Sequence, residues 1–249
     1  MKRNPVFREG IQIYIIEGHG FVVYLSVLLI LAPIEFLTLF LPSLDPQIWM
    51  GPANLFKVSS VAALILIVYF GLRVANQEFV PWRFLSLKRW LHQERLTASE
   101  VAQGQISLLC LQALIFVLLC SPLLIWAGAI ARTAASSILF TLLLLFFYPL
   151  TYGLWGLVAV ALWEHRMENR QVFIRCLFVS LVLLSALLYL PLNPVAFLLY
   201  YLERREMVPL VLGGWRWPAP ATHFLFHFFL LASGLLVYWR TLNKREVYL

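Results

Sequence analysis

An all-α integral membrane protein with six transmembrane helices is the fold class this sequence predicts, on three observations. Of its 249 residues, 62% are hydrophobic and only 12% charged, with a mean hydropathy of +0.84, whereas a soluble domain carries roughly a quarter charged residues. Six apolar segments, 21–41, 55–75, 104–128, 136–163, 172–192 and 221–239, reach the length of about 20 residues that a helix needs to cross a hydrocarbon core of about 30 Å. The alternating segments of about ten residues that build a transmembrane β-barrel do not occur.

Charge orients the bundle, because Lys and Arg in short loops stay on the cytoplasmic side. With both termini cytoplasmic, the outer side holds Lys57, Arg132, Arg204, Arg205 and Arg216, and the other fourteen of the 19 basic residues fall inside. The net charge of +7 is then a consequence of topology, and nucleic acid is not expected as a partner. The first apolar segment follows a basic start, as a secretory signal does. It is about 20 residues long with no small-residue cleavage pattern after Leu41, so it reads as a retained first span. Cys110, Cys120 and Cys176 lie in or beside apolar spans without CxxC spacing, as small packing residues do. No repeat or low-complexity linker divides the chain, and residues 1–249 read as a single domain.

The polar parts come in order. Residues 1–20 predict an interfacial helix: Asn4 is an N-cap, Pro5 takes the first helical position, and Phe7, Ile11 and Tyr14 share a face. Residues 76–103 form a long cytoplasmic interruption carrying PWRFLSLKRWLHQERLTASEV. There Phe84, Leu87 and Leu91 make one helical stripe with Trp90 beside it, and Lys88, His92 and Arg95 make another, while Leu85 and Leu96 fall off the pattern. Thr97 and Glu100 form a T-x-x-E capping box where the next helix begins. Such a segment can float among lipid headgroups or dock a protein. The link 164–171 has alternating charge and no evident chemistry. Residues 193–220 lie outside, where two short helices flank the cluster Glu203, Arg204, Arg205 and Glu206, and Gly213, Gly214, Trp215, Trp217, Pro218 and Pro220 supply breakers and interfacial aromatics.

Within the spans, Glu35 is costly in lipid and should face the protein interior, as a substrate contact or gate, or lie hydrated near the outer interface. Pro149 with Gly153 and Gly156 suggests a kink, either functional or passive. His223 and His227 share a helical face and could bind metal or haem in a membrane redox subunit, but no acidic third ligand or H-E-x-x-H accompanies them, so no metal site is expected. No G-x-S-x-G or clustered carboxylates point to an enzyme.

This arrangement resembles the permease subunits of type 2 ABC exporters. NPVFREGIQIY at Asn4 to Tyr14 is similar to the family's N-P-V-x-x-x-E opening, with the acidic position displaced to Glu9. RLTASEVAQGQ at Arg95 to Gln105 is similar to its P-L-S-x-x-E-I-x-x-G-K segment, matching at Leu96, Thr97, Glu100, Val101 and Gly104 and departing at Arg95 and Gln105. The likeness spans the layout of the chain and about 25 residues of motif. It implies re-entrant outer helices between spans five and six, a place in a bacterial or archaeal cytoplasmic (inner) membrane, and a second permease copy or paralogue. It also implies a separate dimeric ATP-binding cassette ATPase carrying ATP and Mg, with no cofactor on this chain, which has no phosphate-cradling G-x-x-x-x-G-K-[ST] loop. The resemblance makes Trp82 to Leu96 a coupling helix that docks into the ATPase, with Trp82, Phe84, Leu87, Lys88, Arg89, Leu91, Arg95, Thr97 and Glu100 as its residues. Cargo is open, since lipids, glycans, drug-like molecules or peptides would all suit a chain that is 15% aromatic.

Overall fold

The computed structural model describes residues 4–40, 50–80 and 85–248. Helix α1 (Pro5–Ile11) runs into a single π-helical turn (Gln12–Ile16) and then α2 (Phe21–Phe40). Helices α3 (Leu55–Ala75), α4 (Ala98–Ile130), α5 (Ala135–Leu162) and α6 (Met167–Leu188) follow. After α7 (Pro194–Leu202) come the strands β1 (Leu210–Leu212) and β2 (Trp215–Trp217), then α8 (Ala219–Tyr248). Five helices, α2, α3, α4, α5 and α8, are long and apolar enough to cross a membrane. The chain is a helical integral membrane protein.

Local chemistry sets where helices begin. The Asn4 side chain accepts from the amides of Val6 (3.0 Å) and Phe7 (3.4 Å), with Pro5 at the first helical position. Thr97 and Glu100 satisfy each other's amides at 3.3 and 2.9 Å, so the capping box is formed. Asn193 and Pro194 repeat the Asn-Pro device at α7, where the Asn193 side chain accepts from Val195 and Ala196.

Long-range contacts gather the helix ends into two groups. At one end, Glu164 meets the 86–88 segment and Arg245, and Glu246 caps the first amide of α4 at Ala98 (3.1 Å). At the other, the Gly51 amide donates to Thr38 (2.8 Å), Lys57 pairs with Glu203 (2.9 Å) and His223 reaches the Pro191 carbonyl (2.6 Å). Helices α2, α3, α4, α5, α6 and α8 run between these ends.

Small residues decide how closely the helices approach. A Cβ at Gly156 of α5 would lie 2.9 Å from Ala75 Cβ and 3.1 Å from the Leu72 carbonyl oxygen, so only glycine lets α3 pack at this distance. Helices α5 and α8 lie parallel and in register: Tyr148 meets His223, Tyr152 meets His227, and Trp155 Nε1 donates to the Leu230 carbonyl (3.2 Å), each pair 75 residues apart.

The structure refines two expectations and corrects one. The face of the N-terminal helix buried in the protein is formed by Val6, Gly10, Ile13 and Tyr14, while Phe7 and Ile11, expected with Tyr14 on an interfacial face, are partly buried. The reason is twofold: the π turn shifts the register after Ile11, and Gly104 of α4 admits Val6, whose Cβ would be 2.7 Å from a Cβ placed there. The second outer helix is a β-hairpin, because Gly213 and Gly214 adopt φ of 56° and 85°, the left-handed pair that a tight two-residue hairpin turn requires. Leu85 is buried although it falls off the helical stripe, because it precedes the helix in a left-handed conformation, φ 55°.

Candidate functional site

Within the segment Leu85–Leu96, residues 87–93 form a short helix that is mostly a π turn (Arg89–Gln93), bracketed by the left-handed residues Leu85 and Arg95. Non-glycine residues pay a small steric cost there, and the surroundings hold them in place. Glu9 of α1 accepts from the Leu85 amide (3.2 Å) and the Trp90 indole (3.2 Å) and pairs with Arg89. Arg89 also reaches Glu94 at 3.0 Å. From the other side, Glu164 accepts from the Ser86 hydroxyl (2.9 Å) and the Lys88 amide (3.2 Å) and pairs with Arg245 of α8 (2.6 Å). Two carboxylates therefore clamp one segment to α1, the α5–α6 link and α8.

This clamp sorts the residues expected to contact a partner. Leu87, Trp90 and Leu91 are buried against the bundle, Arg89 is held by Glu9, and Lys88, Glu94 and Arg95 face outward. Thr97 and Glu100 are exposed but occupied in capping α4, and Glu100 also presents its carbonyl to the Asn4 side chain (2.6 Å). Trp82 and Phe84 lie outside the described residues. The π turn at 12–16 braces the same end: Tyr14 donates to the Val74 carbonyl (3.0 Å), and burial holds its phenol well above the usual tyrosine range.

Glu35 lies inside the protein, 1% exposed, with no hydrogen-bond partner for either carboxylate oxygen among the described residues. Of the two expected settings, the side chain takes the one facing the protein interior. The Ser59 hydroxyl of α3 lies beside the carboxylate, the Ser60 hydroxyl is also buried, and Cys120 of α4 is near enough to interact with the carboxylate. An ionised carboxylate without partners is costly in such a setting. Pro149 stays within the unbroken helix α5, its ring against Gly71, and Gly153 lies under Leu109 and Ala75. The structure does not bring Pro149 and Gly153 together with Glu35 in one described cavity.

His223 and His227 are fully buried. Each Nδ1 faces a carbonyl, Pro191 at 2.6 Å and His223 at 2.9 Å, so each Nδ1 carries the proton and donates it. Each Nε2 then accepts, from the Tyr148 hydroxyl (2.7 Å) and the Tyr152 hydroxyl (2.8 Å). Phe197 of α7 stacks on the His223 ring at 3.9 Å. A metal would have to displace both tyrosines, and among the described residues no group of three His, Cys, Asp or Glu side chains could hold one.

Glu9, Glu164 and Arg245 carry the clamp, yet no short-range signal in the chain marks them as partners. Tyr148 and Tyr152 had a usable signal, the same i, i+4 spacing as the histidines they meet. Comparison of the chain with protein-family models, curated proteins and solved structures returns no match.

Proposed function

We propose that this chain is the permease subunit of an ABC-type exporter, with α6 as a sixth span, the 85–96 end in the cytoplasm of a bacterial or archaeal inner membrane, and ATP hydrolysed on a separate ATPase dimer. The observation that supports this best is the clamp. A loop helix that floats among headgroups needs no fixed attachment, whereas one that passes on a push must be rigidly tied to the helices it moves. The segment 85–96 is tied to α1 through Glu9 and to the α5–α6 link through Glu164, which in turn holds Arg245 of α8, while Lys88, Glu94 and Arg95 stay outward. Motion of the ATPase would move the segment, α1 and the inner end of α8 as one body. Glu35, with Ser59 and Ser60, is the polar site such a pathway could use within the bilayer.

Affinity purification of the chain from its native membrane, with mass spectrometry of what comes with it, tests the reading: an ATP-binding cassette ATPase is the expected companion. The complex is expected to survive purification, and Lys88→Glu with Arg95→Glu to weaken it at least tenfold. Capture of no ATPase, or a complex indifferent to the double reversal, would remove the coupling role.

A further inference from the structure

A cleft runs along α3 in three chambers, facing α6 at its inner end and α7 at its outer end. The inner vestibule, about 380 Å³, is lined by Tyr69, Leu72, Arg73, Glu78, Arg175 and Phe178 among others. The middle chamber, about 240 Å³, is apolar, with Leu64, Ile65, Val68 and Val195 around the Phe178 ring. The outer chamber, about 520 Å³, ends at Glu203 and Arg205. Neighbouring chambers share walls, Phe178 between the first two and Ile65 and Val195 between the last two. Tyr69 and Phe178 meet edge to face across the cleft, 6.4 Å between ring centres, at the passage from vestibule to middle chamber.

Charge is uneven along this path. In the vestibule Arg73 pairs with Glu78 at 2.8 Å. Arg175 is exposed and has no ion-pair partner among the described residues, so cations exceed carboxylates by one. From Ile65 to Arg73 the helix rises about 12 Å at about 1.5 Å per residue, close to the roughly 15 Å of one hydrocarbon leaflet. A partner helix about 10–12 Å wide would not enter the middle chamber. A chain of methylenes would.

We infer that this cleft binds an anionic membrane lipid, its phosphate held by Arg175 and Arg73 in the vestibule and one acyl chain passing Tyr69 and Phe178 into the middle chamber. Arg175 supplies the charge that no carboxylate takes up. The aromatic pair sets the width of the passage, and Ile65 and Val68 line the chain. A role for the bound lipid as cargo rests on the permease reading; its binding does not.

The test uses the purified full chain in nanodiscs, without ATPase, and phosphatidylglycerol carrying a photoreactive diazirine on one tail. Crosslinks are expected at Val68, Phe178 or Val195. Arg175→Glu should lower labelling at least fivefold and Arg175→Lys should keep it. Ile65→Trp, a substitution at a half-exposed position, should block it by filling the cleft, with thermal melting confirming the fold of each variant. Phosphatidylcholine with the same tail should label at least fivefold less and ignore Arg175→Glu. Equal labelling by the two lipids, crosslinks spread evenly over the bundle, or full labelling of Arg175→Glu would overturn the site. Because no ATPase is present, loss of the permease reading would leave this result standing, and the reverse.

Discussion

The carboxylate of Glu9 pairs with the guanidinium of Arg89 across 80 residues of chain and, in the same arrangement, accepts from the indole of Trp90. One side chain of the N-terminal helix thus fixes both a charged and an apolar residue of the segment between α3 and α4. The pair is partly exposed, at 30% and 22%, so screening reduces its Coulombic contribution, while the hydrogen bonds to a charged acceptor keep most of theirs.

Glu9→Ala should therefore cost about 1–2 kcal/mol and leave the bundle folded. Thermal melting in detergent checks the loss. The exchange Glu9→Arg with Arg89→Glu should recover part of it, since the pair is restored in reverse while the Leu85 and Trp90 donors lose their acceptor. No recovery would mean that the ion pair is not what holds the segment.

Tyr148→Phe removes the hydroxyl that serves His223 Nε2 and leaves a buried acceptor unpaired, which costs about 1–3 kcal/mol. Tyr152→Phe should do the same at His227. Because the two rungs touch, the double variant should depart from additivity. Melting curves measured with and without added zinc separate this clamp from a metal site: zinc should leave the wild-type melting temperature unchanged, and a rise of several degrees would identify the histidines as ligands.

How much of this could be read from sequence varies with the range of the interaction. Asn4 with Pro5 and Thr97 with Glu100 were legible because a cap is built from residues two or three apart. Five apolar spans were legible because bilayer thickness alone sets their length. Leu85 was not, since a single left-handed residue breaks the periodicity on which stripe counting depends. Gly213 and Gly214 were visible as breakers, but their hairpin follows from two positive φ values that composition does not show. The Glu9 and Glu164 contacts, 76 to 81 residues distant, have no local signature: Glu9 stands out only as the acidic position of the opening motif, and Glu164 looks like ordinary solvated charge.

Glu35→Gln should fold at least as well as the wild type, because the amide keeps the shape and removes the need to neutralise a buried carboxyl. Glu35→Lys should fail to accumulate. A hydrophobic carbodiimide, which reacts with protonated carboxyls in apolar surroundings, should label Glu35 and not the exposed Glu94; mass spectrometry of the modified chain reads the outcome. Preferential labelling of Glu94 would show that Glu35 is hydrated.

Gly156→Leu places a side chain where a Cβ alone would come within 2.9 Å of Ala75 and 3.1 Å of a backbone oxygen. Overpacking of this kind costs about 1–3 kcal/mol or more, and here it would force α3 from α5. Expression and melting should fall well below those of Gly234→Ala, whose neighbours are the side chains of Trp155 and Leu154. Equal tolerance of both would contradict the close α3–α5 packing.

The proposed coupling is tested most directly by measuring ATP hydrolysis and transport together in proteoliposomes holding this chain and its co-purified ATPase, for wild type and Glu9→Ala. With the 85–96 segment still docked but no longer tied to α1, hydrolysis should persist near the wild-type rate while transport per ATP falls at least fivefold. Unchanged transport per ATP in Glu9→Ala, with the segment shown to be released by faster hydrogen exchange at 85–96, would contradict the clamp as the transmitting element.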